Sequence, residues 1–149
     1  MASAALSAFQ TLLSIGDGES PEVFTTIAEL RNLSGPSFSA DVLDATTHNT
    51  PTPFRRFISG LIDGGEISVE LNFIPTEATH DAATGILNEL LERGRSNYQI
   101  QFPDEALTTW TIPGIVTAFE LNADPADILT ASVTVKVAGP PTLSTQWPA

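Results

Sequence analysis

Two stretches of strict alternation constrain the fold of this chain more than any other feature. In EISVELNF, Ile67, Val69, Leu71 and Phe73 alternate with Glu66, Ser68, Glu70 and Asn72. In LTASVTVKV, Leu129, Ala131, Val133, Val135 and Val137 alternate with Thr130, Ser132, Thr134 and Lys136. Period two is the signature of a strand with one buried and one polar face. Each run therefore demands a sheet with a core on one side and something polar on the other.

Further strand signals surround them: NYQIQF, TTWTI and GIVTAFEL after residue 96, a short strand from Val23 to Leu30, and the alternation of Phe38, Ala40 and Val42 with Ser37, Ser39 and Asp41. One helix is expected, with Thr79 or Asp81 as its cap, an apolar stripe of Ala83, Ile86, Leu87, Leu90 and Leu91, and an end near Arg93 and Gly94. The pattern predicts a mainly β protein, a β-sandwich or barrel of about seven to eight strands with one packed helix. We read residues 1–149 as a single domain with an N-terminal arm (1–20), a long loop (45–60) and a C-terminal tail (139–149) after the closing strand.

The chain has 149 residues and a formal net charge of -12. That length suffices for one core, burying roughly two-thirds of the unfolded surface. Attraction to phosphates is absent over most of such a surface, which argues against a conventional DNA-binding domain. There is no Cys, so disulfides and thiolate metal sites are excluded, and His48 and His80, each alone in polar sequence, read as surface residues. No apolar run approaches the roughly 20 residues of a membrane span. The first basic residue is Arg31, so a positively charged leader is not expected and the chain reads as remaining in the cytoplasm.

Catalytic constellations are weak. Glu66 and Glu70 share a strand face about 13 Å apart, too far for a glycosidase pair, although Glu120 on a neighbouring strand could come closer. NADPAD at 122–127 places Asn122, Asp124 and Asp127 together but lacks the spacing, glycine and terminal Glu of a calcium loop, so it reads as an Asx-rich turn. There is no nucleophile elbow and no phosphate-cradling glycine loop. Asn32 begins a formal glycosylation sequon. No catalytic, cofactor-binding or metal residue is assigned, and the chain is read as a non-enzyme without a cofactor.

The loop 45–60 is unusual. Arg55 and Arg56, the only adjacent basic pair, lie between Phe54 and Phe57, and no acidic residue occurs from Ala45 through Ile62. Either both phenylalanines tuck into the core with the arginines solvated, or the loop docks on an acidic patch of another copy, since Arg and aromatic side chains are the residues enriched at interfaces. A monomeric β-sandwich binding module, for carbohydrate with the aromatic loop as its ligand face, is the competing class.

The order of LSGPSFSADVLDATT, the Thr and Pro loop, FISGLIDGGEISVELNFIP, one helix, IVTAFEL and ILTASVTVKVAGPPTL resembles the major tail tube proteins of long-tailed, non-contractile bacteriophages of the lambda type, over roughly residues 20–143. The resemblance implies a virion structural subunit, assembled in the host cytoplasm, six copies of which form a ring. Stacked rings would then form the tail tube, through which DNA passes during ejection without specific binding. It implies the partners of such a tube: other copies, and tape measure, terminator and tail tip proteins, with no membrane. The arm 1–20 and the loop 45–60, with Phe54, Arg55, Arg56 and Phe57, correspond to the parts that reach a neighbouring ring. Glu66, Ser68, Glu70, Ser132 and Thr134 are candidates to line the channel. A tube subunit of a gene transfer agent is equally compatible.

Overall fold

The computed structural model describes residues 5–49 and 51–144; positions 1–4 of the expected arm and 145–149 of the expected tail lie outside the described residues. The elements are β1 (Leu12–Gly16), β2 (Phe24–Thr26), β3 (Leu30–Ser34), β4 (Ser39–Asp44), β5 (Phe57–Asp63), β6 (Glu66–Asn72), α1 (Ile86–Glu92), β7 (Arg95–Gln101), β8 (Thr109–Asn122), β9 (Thr130–Val137) and β10 (Thr142–Ser144). Seven strands pair antiparallel in the order β2-β1-β7-β8-β9-β6-β3, β10 adds to β8, and β4 and β5 form a separate ribbon. The edges of the large sheet, β2 and β3, are joined by three residues, which span at most roughly 14 Å. The sheet therefore curls until its edges nearly meet, enclosing the core.

Both alternating runs place their apolar sets in that core. Ile67, Val69 and Leu71 of β6 and Ala131, Val133, Val135 and Val137 of β9 are buried, facing Leu13, Ile15, Tyr98, Ile100 and Ile112. The mainly β expectation with one helix holds.

Several local expectations need correction. Residues 12–16 are not part of a free arm: they form β1, which pairs with β7 and β2 and buries Leu13 and Ile15. The single strand expected over Val23 to Leu30 is two strands, β2 and β3, because Ile27 turns inward to bond Leu13 and Glu29 adopts a positive φ of 58°. Phe57 to Gly60 belong to β5 rather than to a loop.

The helix is shorter than expected. The Asp81 carboxylate accepts the N–H groups of Ala83, Thr84 and Gly85, but the chain makes turns there and the helix starts only at Ile86. The break is at Gly85, whose extended backbone (φ -94°, ψ -166°) makes it the N-cap. His80, expected at the surface, is fully buried. Its Nδ1 accepts the Ile74 N–H at 3.1 Å, its Nε2 donates to the Ala28 carbonyl at 2.7 Å, and its ring stacks on Phe73. Substituting His80→Ala leaves a void and two backbone groups without partners, so we expect a loss of about 3 kcal/mol. That loss is checked as a lower denaturation midpoint and a Tm lower by roughly 6–12 °C.

TTWTI and GIVTAFEL, expected as two strands, are one 14-residue strand, β8, that continues through Pro113 and Gly114. The Pro113 carbonyl accepts the Ala138 N–H at 2.9 Å, so the edge on which proline lacks a donor is where β9 gives way to β10. At Gly114 a Cβ would lie 2.6 Å from the Val135 side chain and 3.3 Å from the Tyr98 ring, which explains a residue without one.

Candidate functional site: a polar sheet face and a projecting ribbon

The outer face of the large sheet collects the candidate lining residues. Register pairs Ser68 with Thr134 and Glu70 with Ser132, and on the far side of β9 it pairs Glu120 with Ser132. Directly opposite residues on antiparallel strands share a face, so Glu66, Ser68, Glu70, Ser132 and Thr134 form one contiguous polar surface. Glu70 and Glu120 are separated by the whole of β9, which puts their backbones roughly 10 Å apart with Ser132 between.

Of the cations on this face, two are held by acids, while Arg95, aligned by register with Ile115, Lys136 and Glu66, is exposed and makes no ion pair among the described residues. Lys136 lies 3.0 Å from Asp63, and Arg31 lies 3.5 Å from Glu70. The Asp63 carboxylate is held below the ordinary aspartate value by the Gly65 N–H, which it accepts at 2.9 Å, and secondly by Lys136. A depressed carboxylate is charged at neutral pH, and its contribution is lost only as pH falls through its lowered folded value. At neutral pH the face is therefore acidic and hydroxyl-rich around Glu66, Ser68, Glu70, Ser132 and Thr134, with Lys136 and Arg31 each beside a carboxylate.

Phe54, Arg55, Arg56 and Phe57 lie at the far end of the β4–β5 ribbon. The alternative in which the phenylalanines enter the core is overturned, since Phe54 is 76% and Phe57 55% exposed. The ladder extends past the strands, with the Ala45 N–H donating to the Arg56 carbonyl at 2.8 Å and the Arg56 N–H to the Thr46 hydroxyl at 2.8 Å. At its root the ribbon joins β6 through Gly64 and Gly65. Gly65 has a φ of 69°, and a Cβ there would meet the Ser37 carbonyl at 2.3 Å.

The apolar character of the ribbon itself was not foreseen. Pairing of Leu43 with Ile58 defines one face, while pairing of Ala40 with Ile62, Val42 with Ser59 and Asp44 with Phe57 defines the other. Leu43, Ile58, Val42, Phe57 and Ile62 are all more than half exposed. Among the described elements, the strands of the ribbon make substantial contact only with each other. A two-stranded ribbon alone is marginal in water, and one that is apolar on both faces is built to be covered on both. The signal was present in FISGLID, which lacks the polar alternation of a half-buried strand.

The turn 122–127 is an Asx turn. Asp124 Oδ1 accepts the Ala126 N–H at 2.9 Å and Asp127 Oδ1 the Ile128 N–H at 2.8 Å. His48 is exposed on the ribbon's tip. Among the described residues no group of three or more His, Cys, Asp or Glu could hold a metal ion, and no helix is long and apolar enough to cross a membrane.

Comparison with known families matches residues 10–144 to the model described as "Lambda phage tail tube protein, TTP". Among solved structures, the chain is similar to a subunit in the tail of an empty gene transfer agent particle refined with C6 symmetry, at 19% identity and TM-score 0.74, covering 94% of this chain and 99% of that one. It is similar at 18% identity and TM-score 0.73 to a subunit of the native gene transfer agent virion, with the same coverage. A chain of an extracellular contractile injection system, from the sheath and tube terminator in the extended state, matches at 14% identity and TM-score 0.71, covering 95% and 99%. No curated protein sequence matches.

Proposed function

The chain belongs to the lambda phage tail tube protein family, and from that premise we propose that it is the repeating subunit of a tube in which six copies close a ring and rings stack around a lumen that passes DNA. The observation that carries this reading is the ribbon, whose two apolar faces are left exposed by the described residues of one copy. The six-fold tail of the gene transfer agent particle, built of a subunit with this fold, supports the ring number.

In this arrangement the face of Glu66, Ser68, Glu70, Ser132 and Thr134 lines the lumen. Duplex DNA carries one charge per about 1.7 Å, so free cations would hold it through repeated phosphate contacts. Around Glu66 and Glu70 two cations are engaged by Asp63 and Glu70, which leaves Arg95 as the exposed cation of the face without an ion pair among the described residues, too few phosphate contacts to keep the duplex from sliding. The ribbon and the residues before β1 reach neighbouring copies, and Phe54, Arg55, Arg56 and Phe57 contact the adjacent ring. The subunit acts structurally, without catalysis, in the virion after assembly in the host cytoplasm, alongside the other proteins of the tail.

Electron microscopy of the protein from its particles tests the reading. Hollow stacked rings are expected. A protein that remains monomeric both in its particles and at high concentration would overturn it.

A further inference from the structure

The ribbon leaves the large sheet at one end and the sheet exposes a complementary patch at the other. Its root lies beside Ser34, Glu66 and Val137, where Val137 bonds the Gly65 carbonyl. The opposite ends of the same strands are Leu30, Asn72, Asn122 and Thr130, aligned by register. The loops there form one surface: Phe73 donates to the Leu129 carbonyl at 3.0 Å, and Asn72 to the Glu29 carbonyl at 2.9 Å.

That surface combines exposed apolar side chains with carboxylates. Leu121 is 51%, Ile128 56% and Ile74 39% exposed, and Glu29, Asp124 and Asp127 are exposed among them. The nearest cation on the adjoining strands, Arg31, is held by Glu70. The ribbon's tip has the opposite character, two phenylalanines around two arginines, all four exposed. Ribbon strands of this length carry the tip roughly 20 Å from the sheet. Unlike patches that complement each other on one chain make a head-to-tail contact, which propagates as a stack.

Resting on the stacked-ring reading, we propose that the tip of the ribbon in one ring seats on the β8–β9 turn and Ile74 of a copy in the next. Phe54 and Phe57 cover Leu121, Ile128 and Ile74, while Arg55 and Arg56 pair with Asp124 and Asp127. Aromatic and Arg anchors set in a ring of weaker contacts are the usual composition of an interface centre, and the charge pairs fix partner and direction. Only a second copy of this chain is needed as occupant.

A charge-swap series tests it, with folding of each variant followed by circular dichroism and assembly by electron microscopy. D124N/D127N keeps the Oδ1 acceptors of the turn but removes the charges, and is expected to shorten tubes and make stacking more sensitive to salt. R55E/R56E is expected to give rings with at least tenfold fewer stacks. Adding D124R/D127R to R55E/R56E is expected to restore stacking that neither pair alone supports. Wild-type length for D124N/D127N at all salt concentrations, or no recovery in a folded combined variant, overturns the assignment. Those results leave the tube reading standing, because that reading fails only if the wild-type chain forms no rings in its particles.

Discussion

Replacing Ile58 and Ile62 by Asp is expected to abolish tube formation and to leave the curled sheet folded. The two side chains lie on opposite faces of the β4–β5 ribbon and are 56% and 72% exposed in the single copy, so their replacement removes nothing from the core. In the proposed assembly each is buried against a neighbour. Losing an isoleucine's burial and forcing a carboxylate into the same place costs about 3 kcal/mol at each position. Together that is about 6 kcal/mol per ribbon, or roughly four powers of ten in the association constant. Size-exclusion chromatography shows the effect as a shift from assembled to monomeric protein, with an unchanged thermal transition. Normal tubes from this variant would mean the ribbon is solvated in the particle.

The ribbon also shows why some of the fold was legible in the sequence and some was not. β6 and β9 are long, central and half-buried, so one copy's core and solvent wrote their alternation directly, whereas only the register of the fold shows that their polar faces adjoin. β5 carries no alternation: apolar side chains stand on both faces of the ribbon, and neither face packs on the core of its own copy. Reading FISGLID against the core of one chain therefore misplaced its first residues in a loop. β1 was missed for a different reason: Leu13 and Ile15 offer only one period of alternation, too short to stand out beside the turn that follows. His80 has no local signal at all, since its partners Ile74 and Ala28 come from two separate turns. The tip is recognisable in the sequence as an aromatic and basic cluster, whereas the exposed patch at Leu121, Ile74 and Ile128, its proposed complement, is assembled from loops distant in sequence.

Reversing charge on the polar sheet face produces the second large effect. In particles built with E66K/E70K, ejection of DNA is expected to slow at least tenfold at low salt and to recover steeply as salt rises. Each substitution changes the charge by two, so six copies shift a ring by about two dozen charges, and Glu70 also releases Arg31 from its ion pair. Every phosphate contact so created contributes a unit of about 0.9 to the slope of log affinity against log salt. Both residues are at least partly exposed and outside the core, so tubes of normal length are expected by electron microscopy. Unchanged ejection kinetics at low salt from normally assembled particles would remove this face from the lumen.

A reconstruction of the particle's tail at subunit resolution tests the central claim most directly. The expected map shows six copies per ring, each β4–β5 ribbon enclosed on both faces by neighbouring copies, and Ser68, Glu70, Ser132 and Thr134 facing the lumen. A map in which the ribbon stands free in solvent, or in which that polar face lies on the outside of the tube, would contradict it.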